Sequence, residues 1–197
     1  DVDFSLESAL LMAKLETSID INSNYFFMIS SNFYNIFSHH SFKIIKEIQK
    51  LGHNISIHFD LTIYDDIEDG FFREKNIFEN FFDTKIDIVS FHRFGSLYKN
   101  EKYSELKTSL FLNCMHTYHN KFIKDMVYLS DSGGNNIKNI MDTIFDSEKI
   151  SKIQLLIHPI WWTFKKDKPK YVLDNWLDNH KEFLLTEIRK NCKTYEN

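Results

Sequence analysis

The 197-residue chain carries 24 basic against 28 acidic residues, and a net charge of -4 argues against wholesale binding to nucleic acid or to an anionic membrane surface. An aromatic content of 16%, with 19 Phe against 5 Gly and 2 Pro, excludes a disordered chain, and the length suits one large domain spanning 1–197. Two cysteines, Cys114 and Cys192, are too few for a disulfide framework and are read as reduced; no apolar run approaches the roughly 20 residues of a membrane span and no signal segment is visible, so a cytoplasmic location is expected.

In chain order, Asp1-Val2-Asp3-Phe4 leads into Ser5, a good N-cap, and then into Leu6, Leu10 and Ala13 at helical spacing. The two carboxylates therefore precede a helix, and the pattern that follows implies a strand upstream of them. Asn24 to Ser30 is an almost unbroken apolar run, the signature of a strand buried on both faces. A helix is predicted from Ser41, with Ile44, Ile45, Ile48 and Leu51 on one face and Gly52 as its stop. Gly52 to Asp60 then reads as a strand with Ile55 and Ile57 in its stem; period-two alternation puts His58 and Asp60 on one side and Phe59 on the other. Further along, a helix is predicted from Phe71 to Phe82 and a strand from Ile86 to Phe91 that ends in His92-Arg93. A helix or loop follows near Leu97 to Leu106, with short strands at Leu110 to Cys114 and Met126 to Leu129. The second of these opens into Ser130-Asp131-Ser132-Gly133-Gly134. A helix from Ile137 to Phe145, a strand from Ile153 to Ile157 ending in His158, and a long amphipathic helix introduced by Pro169 complete the chain. Alternating strands and helices describe an α/β fold with parallel strands, open or closed into a barrel.

The polar residues collect at strand ends. Asp1 and Asp3, His58 and Asp60, His92 and Arg93, Asp131, and His158 all fall at or just beyond the C-terminal end of a predicted strand, the rim where α/β folds build their sites. Carboxylates and neutral imidazoles are ligands for a divalent ion that acidifies water, and a second carboxylate and histidine can serve as base and acid.

Four pieces of the sequence resemble the polysaccharide deacetylases of the NodB-type carbohydrate esterase group, most closely a branch associated with bacterial O-antigen and other surface polysaccharides. They are Asp1-Val2-Asp3, Leu51-Gly52-His53-Asn54-Ile55 with His58, Ser90-Phe91-His92-Arg93, and Leu156-Ile157-His158. The resemblance implies a distorted (β/α) barrel of about seven strands. It makes Asp1 the general base, Asp3 and His58 metal ligands, Arg93 the partner that orients Asp1, and His158 the acid that protonates the leaving amine. A backbone N–H near Phe33 or Tyr34 would help hold the oxyanion. The cofactor implied is a divalent metal, zinc first, with cobalt or manganese as substitutes, and the substrate an acetylated amino sugar or glycan.

Two positions depart from the family pattern. Its usual second histidine, four residues after the first, is Thr62 here, a poor zinc ligand; His92 is the preferred replacement, with Asp60 as the alternative. The arginine motif lacks its proline and reads Arg93-Phe94-Gly95. These departures keep two further readings open, a catalytically inactive carbohydrate-binding module of the same fold and a metal-dependent amidase or deformylase on another small amide. Asp60, Asp131 and Trp161 are the candidate substrate contacts, Trp161 or its neighbour Trp162 offering an indole for a sugar ring to stack on; Asp131 could instead bond a site histidine. His53 is read as structural, His116 and His119 as a weak second metal pair, and His39, His40 and His180 as surface or cap residues. Ser130 to Gly134 reads as a tight turn, since it lacks the ending of a phosphate loop. The charge run at 165–168 reads as a solvated loop.

Overall fold

A computed structural model describes residues 1–94, 111, 113–124, 126–134, 137–145, 152–164 and 168–195. The helix or loop expected near Leu97 to Leu106 and most of the 165–168 charge run lie outside these residues.

The elements follow from local chemistry. Helix α1 (Leu6–Ser18) starts where the Ser5 side chain accepts from the Ser8 N–H at 3.1 Å, and α2 (His39–Lys50) where Ser38 does the same for Ser41. Between them lies β1 (Asn24–Phe27), shorter than the apolar run that announced it. Gly52, at φ 95°, turns the chain from α2 into β2 (Asn54–Phe59), a backbone region that glycine alone enters without strain.

Helix α3 (Ile67–Phe82) begins four residues before its predicted start because Asp66 caps it, accepting from the Asp69 N–H at 3.0 Å. It also runs through Gly70, where an added Cβ would sit 2.2 Å from the Tyr64 ring, so the glycine makes room for a tyrosine packed across the helix. Strand β3 (Ile88–Phe91) is followed by β4 (Met115–His116). The strand expected at Leu110 to Cys114 is not formed by its described residues: Asn113, at φ 65°, folds Phe111 back onto Cys114 in a single bridge, and pairing with β3 begins only at Met115. After α4 (Asn120–Ile123) and β5 (Val127–Ser130), the stretch Ser132–Gly134 is a single 3-10 turn, the tight turn the sequence suggested. Helix α5 (Ile137–Phe145), β6 (Ile153–Leu156), α6 (Ile160–Thr163) and α7 (Pro169–Asn191) complete the order.

Strands β1-β2-β3-β4 form one parallel sheet and β5-β6 a second parallel pair. Residues 1 and 2 stand between them: Val2 bridges Phe27 in parallel, and the Asp1 nitrogen donates to the Ile157 carbonyl at 2.7 Å. On the opposite side the Gln154 side chain donates to the Thr117 carbonyl at 2.9 Å, but no ladder joins β4 to β5 among the described residues. The molecule is thus α/β with parallel strands, as expected; among the described residues there are six strands, in two sheets, and the expected closed barrel of about seven is not formed.

Phe27, Ile57, Phe59, Val89 and Phe91, all fully buried, anchor the main core, while Ile160, Trp161, Val172 and Trp176 form a smaller one under α7. No helix among the described residues is long and apolar enough to cross a membrane. Cys114 is buried, Cys192 is exposed, and both are free thiols.

Glu74 is a buried carboxyl in this core. Its Oε1 accepts from the Tyr64 hydroxyl at 2.9 Å, and burial, only partly offset by that bond, pushes its pKa up to about 7. A folded-state pKa above the unfolded value of 4.5 gives a contribution present in full below pH 4.5 and lost as pH rises through about 7. Above that pH the buried carboxylate costs on the order of 3 kcal/mol. Glu74→Gln, which keeps an acceptor for Tyr64, is therefore expected to raise the melting temperature at pH 8 and to leave it almost unchanged at pH 4. Thermal melts at the two pH values check the sign.

Candidate metal centre

Strand register brings the polar rim together. His58 pairs with Ser90 across β2 and β3, and the His92 N–H donates to the Phe59 carbonyl at 2.8 Å, so His58, Ser90 and His92 face one side at neighbouring strand ends. Val2, held by Phe26 and Phe27, delivers Asp1 and Asp3 to the same side. The Tyr34 hydroxyl donates to the Val2 carbonyl at 2.7 Å and accepts from the Met28 N–H at 2.9 Å, clamping the Asp1-Val2-Asp3 segment to the end of β1. Removing that hydroxyl leaves two backbone groups unpaired, so Tyr34→Phe should cost about 1–3 kcal/mol and weaken metal retention, measured by chemical denaturation and by dialysis against a chelator.

Asp3 Oδ1 lies 3.3 Å from His58 Nε2 and 3.7 Å from His92 Nδ1, and the two ring nitrogens are 3.0 Å apart. Bonds of about 2.0–2.2 Å to a tetrahedral ion place neighbouring ligand atoms about 3.3–3.5 Å apart, close to this triangle. Asp3 Oδ1 is buried and faces both ring nitrogens without a well-formed hydrogen bond of its own, a position from which it could ligate a cation. Burial opposes the charge on Asp3, but the close approach of the His58 ring, with His158 and His92 beside it, holds its carboxyl well below the usual carboxylate range. Burial lowers His58 more than Asp3 raises it, and burial with the neighbouring His58 lowers His92, so both rings favour the neutral, ligating form. Asp3, His58 and His92 thus form a possible metal-binding triad. The donor set, two imidazoles and a carboxylate, suits zinc or a similar divalent ion.

With Nε2 turned to the triad, His58 directs Nδ1 at Asp1 Oδ2, 3.6 Å away, and Ser90 Oγ donates to that same oxygen at 3.1 Å. Ser90 thus orients the carboxylate that the resemblance pairs with Arg93. Arg93 is exposed and lines the cavity, with its backbone in the left-handed region at φ 55°.

Opposite, His158 Nε2 is 3.7 Å from Asp3 Oδ2. Its orientation is set by Asp131, whose Oδ1 is 2.6 Å from His158 Nδ1 and whose oxygens accept from the His158 backbone N–H at 2.9 and 3.1 Å. Trp162 Nε1 donates to Asp131 Oδ2 at 2.7 Å. Asp131 is 0% exposed and has its oxygens engaged, so it is a positioning residue for His158 and has no oxygen to offer a substrate.

Of the two residues offered for the third ligand, the preferred His92 is the one in the triad; Asp60 lies outside it, with its Oδ1 accepting from both the N–H and the hydroxyl of Thr62, at 2.9 and 2.6 Å. Thr62 thus locks Asp60, which lines the cavity as a candidate substrate contact, and His92 is the third member of the triad. Trp161 is 8% exposed and packs edge-on against Phe4, so it forms a wall and presents no open face for a ring. The Phe33 N–H is taken by Ser31 Oγ at 3.0 Å, leaving it no bond for an oxyanion in this conformation.

The remaining histidines have ordinary roles. His53 is structural, with Nδ1 accepting from the Ser23 N–H and Nε2 against the Ala13 carbonyl. His119 caps α4 and His40 pairs with Glu7 on the surface, while His180 stacks on Trp176. Among the described residues, His116 and His119 belong to no metal-binding group.

Ser90, Trp162 and Tyr34 were not singled out from the sequence for the roles they play here. Only Ser90 carried a signal: it sits two residues before His92 and so on the same strand face.

The triad and His158 line a cavity of about 950 Å³, together with Phe4, Phe33, Tyr118, Ser130 and Ser132. Compared with known proteins, the chain matches no protein-family model and no curated protein.

Proposed function

We propose that the protein is a metal-dependent hydrolase that removes the acyl group from an acylated amino sugar, in the manner of the polysaccharide deacetylases its motifs resemble. The observation that carries the reading is the pairing of two units on one aspartate, a ligand triad on Asp3 Oδ1 and a carboxylate-held histidine on Asp3 Oδ2. A divalent ion there would supply Lewis acidity, polarising the amide carbonyl and acidifying water. Asp1, oriented by Ser90, is placed to take the proton of the attacking water. His158, with Nδ1 held by Asp131, has Nε2 on the site side to give a proton to the departing nitrogen.

The acid and base flanking the triad favour a hydrolase over a silent sugar-binding module, which needs neither. Thr62, the residue that raised that alternative, has a role of its own in holding Asp60. An amidase or deformylase would use the same groups, so the amide substrate is what separates the two. The preferred ion is zinc, with cobalt or manganese able to replace it, and the substrate class and a cytoplasmic place of action belong to the same reading. The test is acetate release from acetylated amino sugars by protein reconstituted with zinc, cobalt or manganese. Release that depends on added metal supports the reading, and release from small formamides alone would move it to the amidase alternative.

A further inference from the structure

We propose that Phe33 is the stacking platform for the sugar ring that occupies the site. The inference rests on the deacetylase reading for the identity of the reacting group, and on geometry for the platform.

Phe33 is 40% exposed while lining the same cavity as the triad. Exposure of one phenylalanine is ordinary. Its support from behind is the distinguishing observation. The ring lies 4.7 Å from Phe4 at 34° and meets Trp176 edge-on at 5.5 Å and 85°. Its backbone is tied by Ser31, and the next residue, Tyr34, is clamped to Val2. The ring lines both this cavity and a neighbouring one bounded by Tyr34, His40 and Phe183, and a ring supported on several sides yet exposed is pre-organised for a flat partner.

The platform is also near the chemistry, since Phe4 follows Asp3 directly in the chain. A pyranose presents an apolar C–H face to an aromatic ring and hydroxyls at its edge, and the cavity lining supplies polar groups at Ser130, Ser132 and Asp60. The cavity, at about 950 Å³, lies near the top of the roughly 300–1,000 Å³ range of small-ligand sites, which leaves room beyond a single sugar.

The test is isothermal titration of metal-free protein with the trimer of N-acetylglucosamine, alongside acetate release by the zinc-loaded protein. Phe33→Ala and Phe33→Leu are expected to weaken trimer binding about tenfold or more, Leu because it keeps apolar bulk without a flat face. Phe33→Trp should retain binding. Phe37→Ala serves as the control, being similarly exposed but packed on Phe81 and absent from the cavity lining. Phe33→Ala and Phe37→Ala each lose a ring contact and are expected to lower the melting temperature by similar small amounts, so that a loss of binding confined to Phe33 is not a loss of folding. Trimer binding that is absent in the unsubstituted protein, or equally tight in Phe33→Ala, overturns the platform. Failure of the deacetylase reading looks different: the trimer binds in a Phe33-dependent way, yet no metal brings about acetate release.

Discussion

Asp3→Asn is expected to abolish metal retention and turnover together. After exhaustive dialysis the unsubstituted protein should keep about one divalent ion per chain, and the variant none. Asp3 supplies the only negative charge of the triad, and its Oδ1 lies within 3.7 Å of both ligand nitrogens. Loss of a residue that merely supports a ligand costs about 10–100-fold in metal affinity or activity, so loss of the ligand itself should exceed about a hundredfold. His92→Ala should follow Asp3→Asn in losing the ion, because His92 closes the triangle with His58 at 3.0 Å. Thr62→Ala should retain it, since Thr62 touches Asp60 outside the triad. Elemental analysis of the three variants checks the assignment, and metal lost from Thr62→Ala but kept in His92→Ala would overturn it.

The second large effect falls on Asp131. Asp131→Asn should lower kcat by about 10²–10⁴-fold while the metal content stays near one per chain. The carboxylate accepts from the His158 backbone, the Trp162 indole and the His158 ring at once, and an amide cannot accept all three on its single oxygen. Because Asp131 acts through His158, the two variants should not add: Asp131→Asn in a His158→Ala background should cost little further turnover. A full additional loss in the double variant would show that Asp131 acts independently of the histidine. Burial of the unmet group should also lower stability by about 1–3 kcal/mol, which denaturant unfolding would report separately from kcat.

The comparison of Thr62 with Ser90 shows where sequence reading stops. Thr62 occupies a position where a histidine was expected, so by sequence it looks like a defect. In the fold its hydroxyl and N–H hold Asp60, and the missing imidazole is supplied by the adjacent strand. Ser90 looked like an ordinary strand residue, yet the β2–β3 register sets it opposite His58 and within 3.1 Å of Asp1. Local pattern states which face of a strand a residue occupies. It does not state which residue of another strand stands opposite, because that depends on register between segments distant in the chain.

By itself, the sequence determined the parallel α/β class, most element positions, and the placing of His58, His92 and His158 at or just beyond strand ends. These properties follow from periodicity, capping and turn chemistry within a few residues. Tertiary structure alone decided that Asp3, His58 and His92 meet at one point, that Asp131 and Trp162 lock His158, and that Trp161 is buried while Phe33 stays open. Each of those outcomes depends on side chains from separate elements competing for the same space and the same hydrogen bonds, and chain order carries no record of that competition.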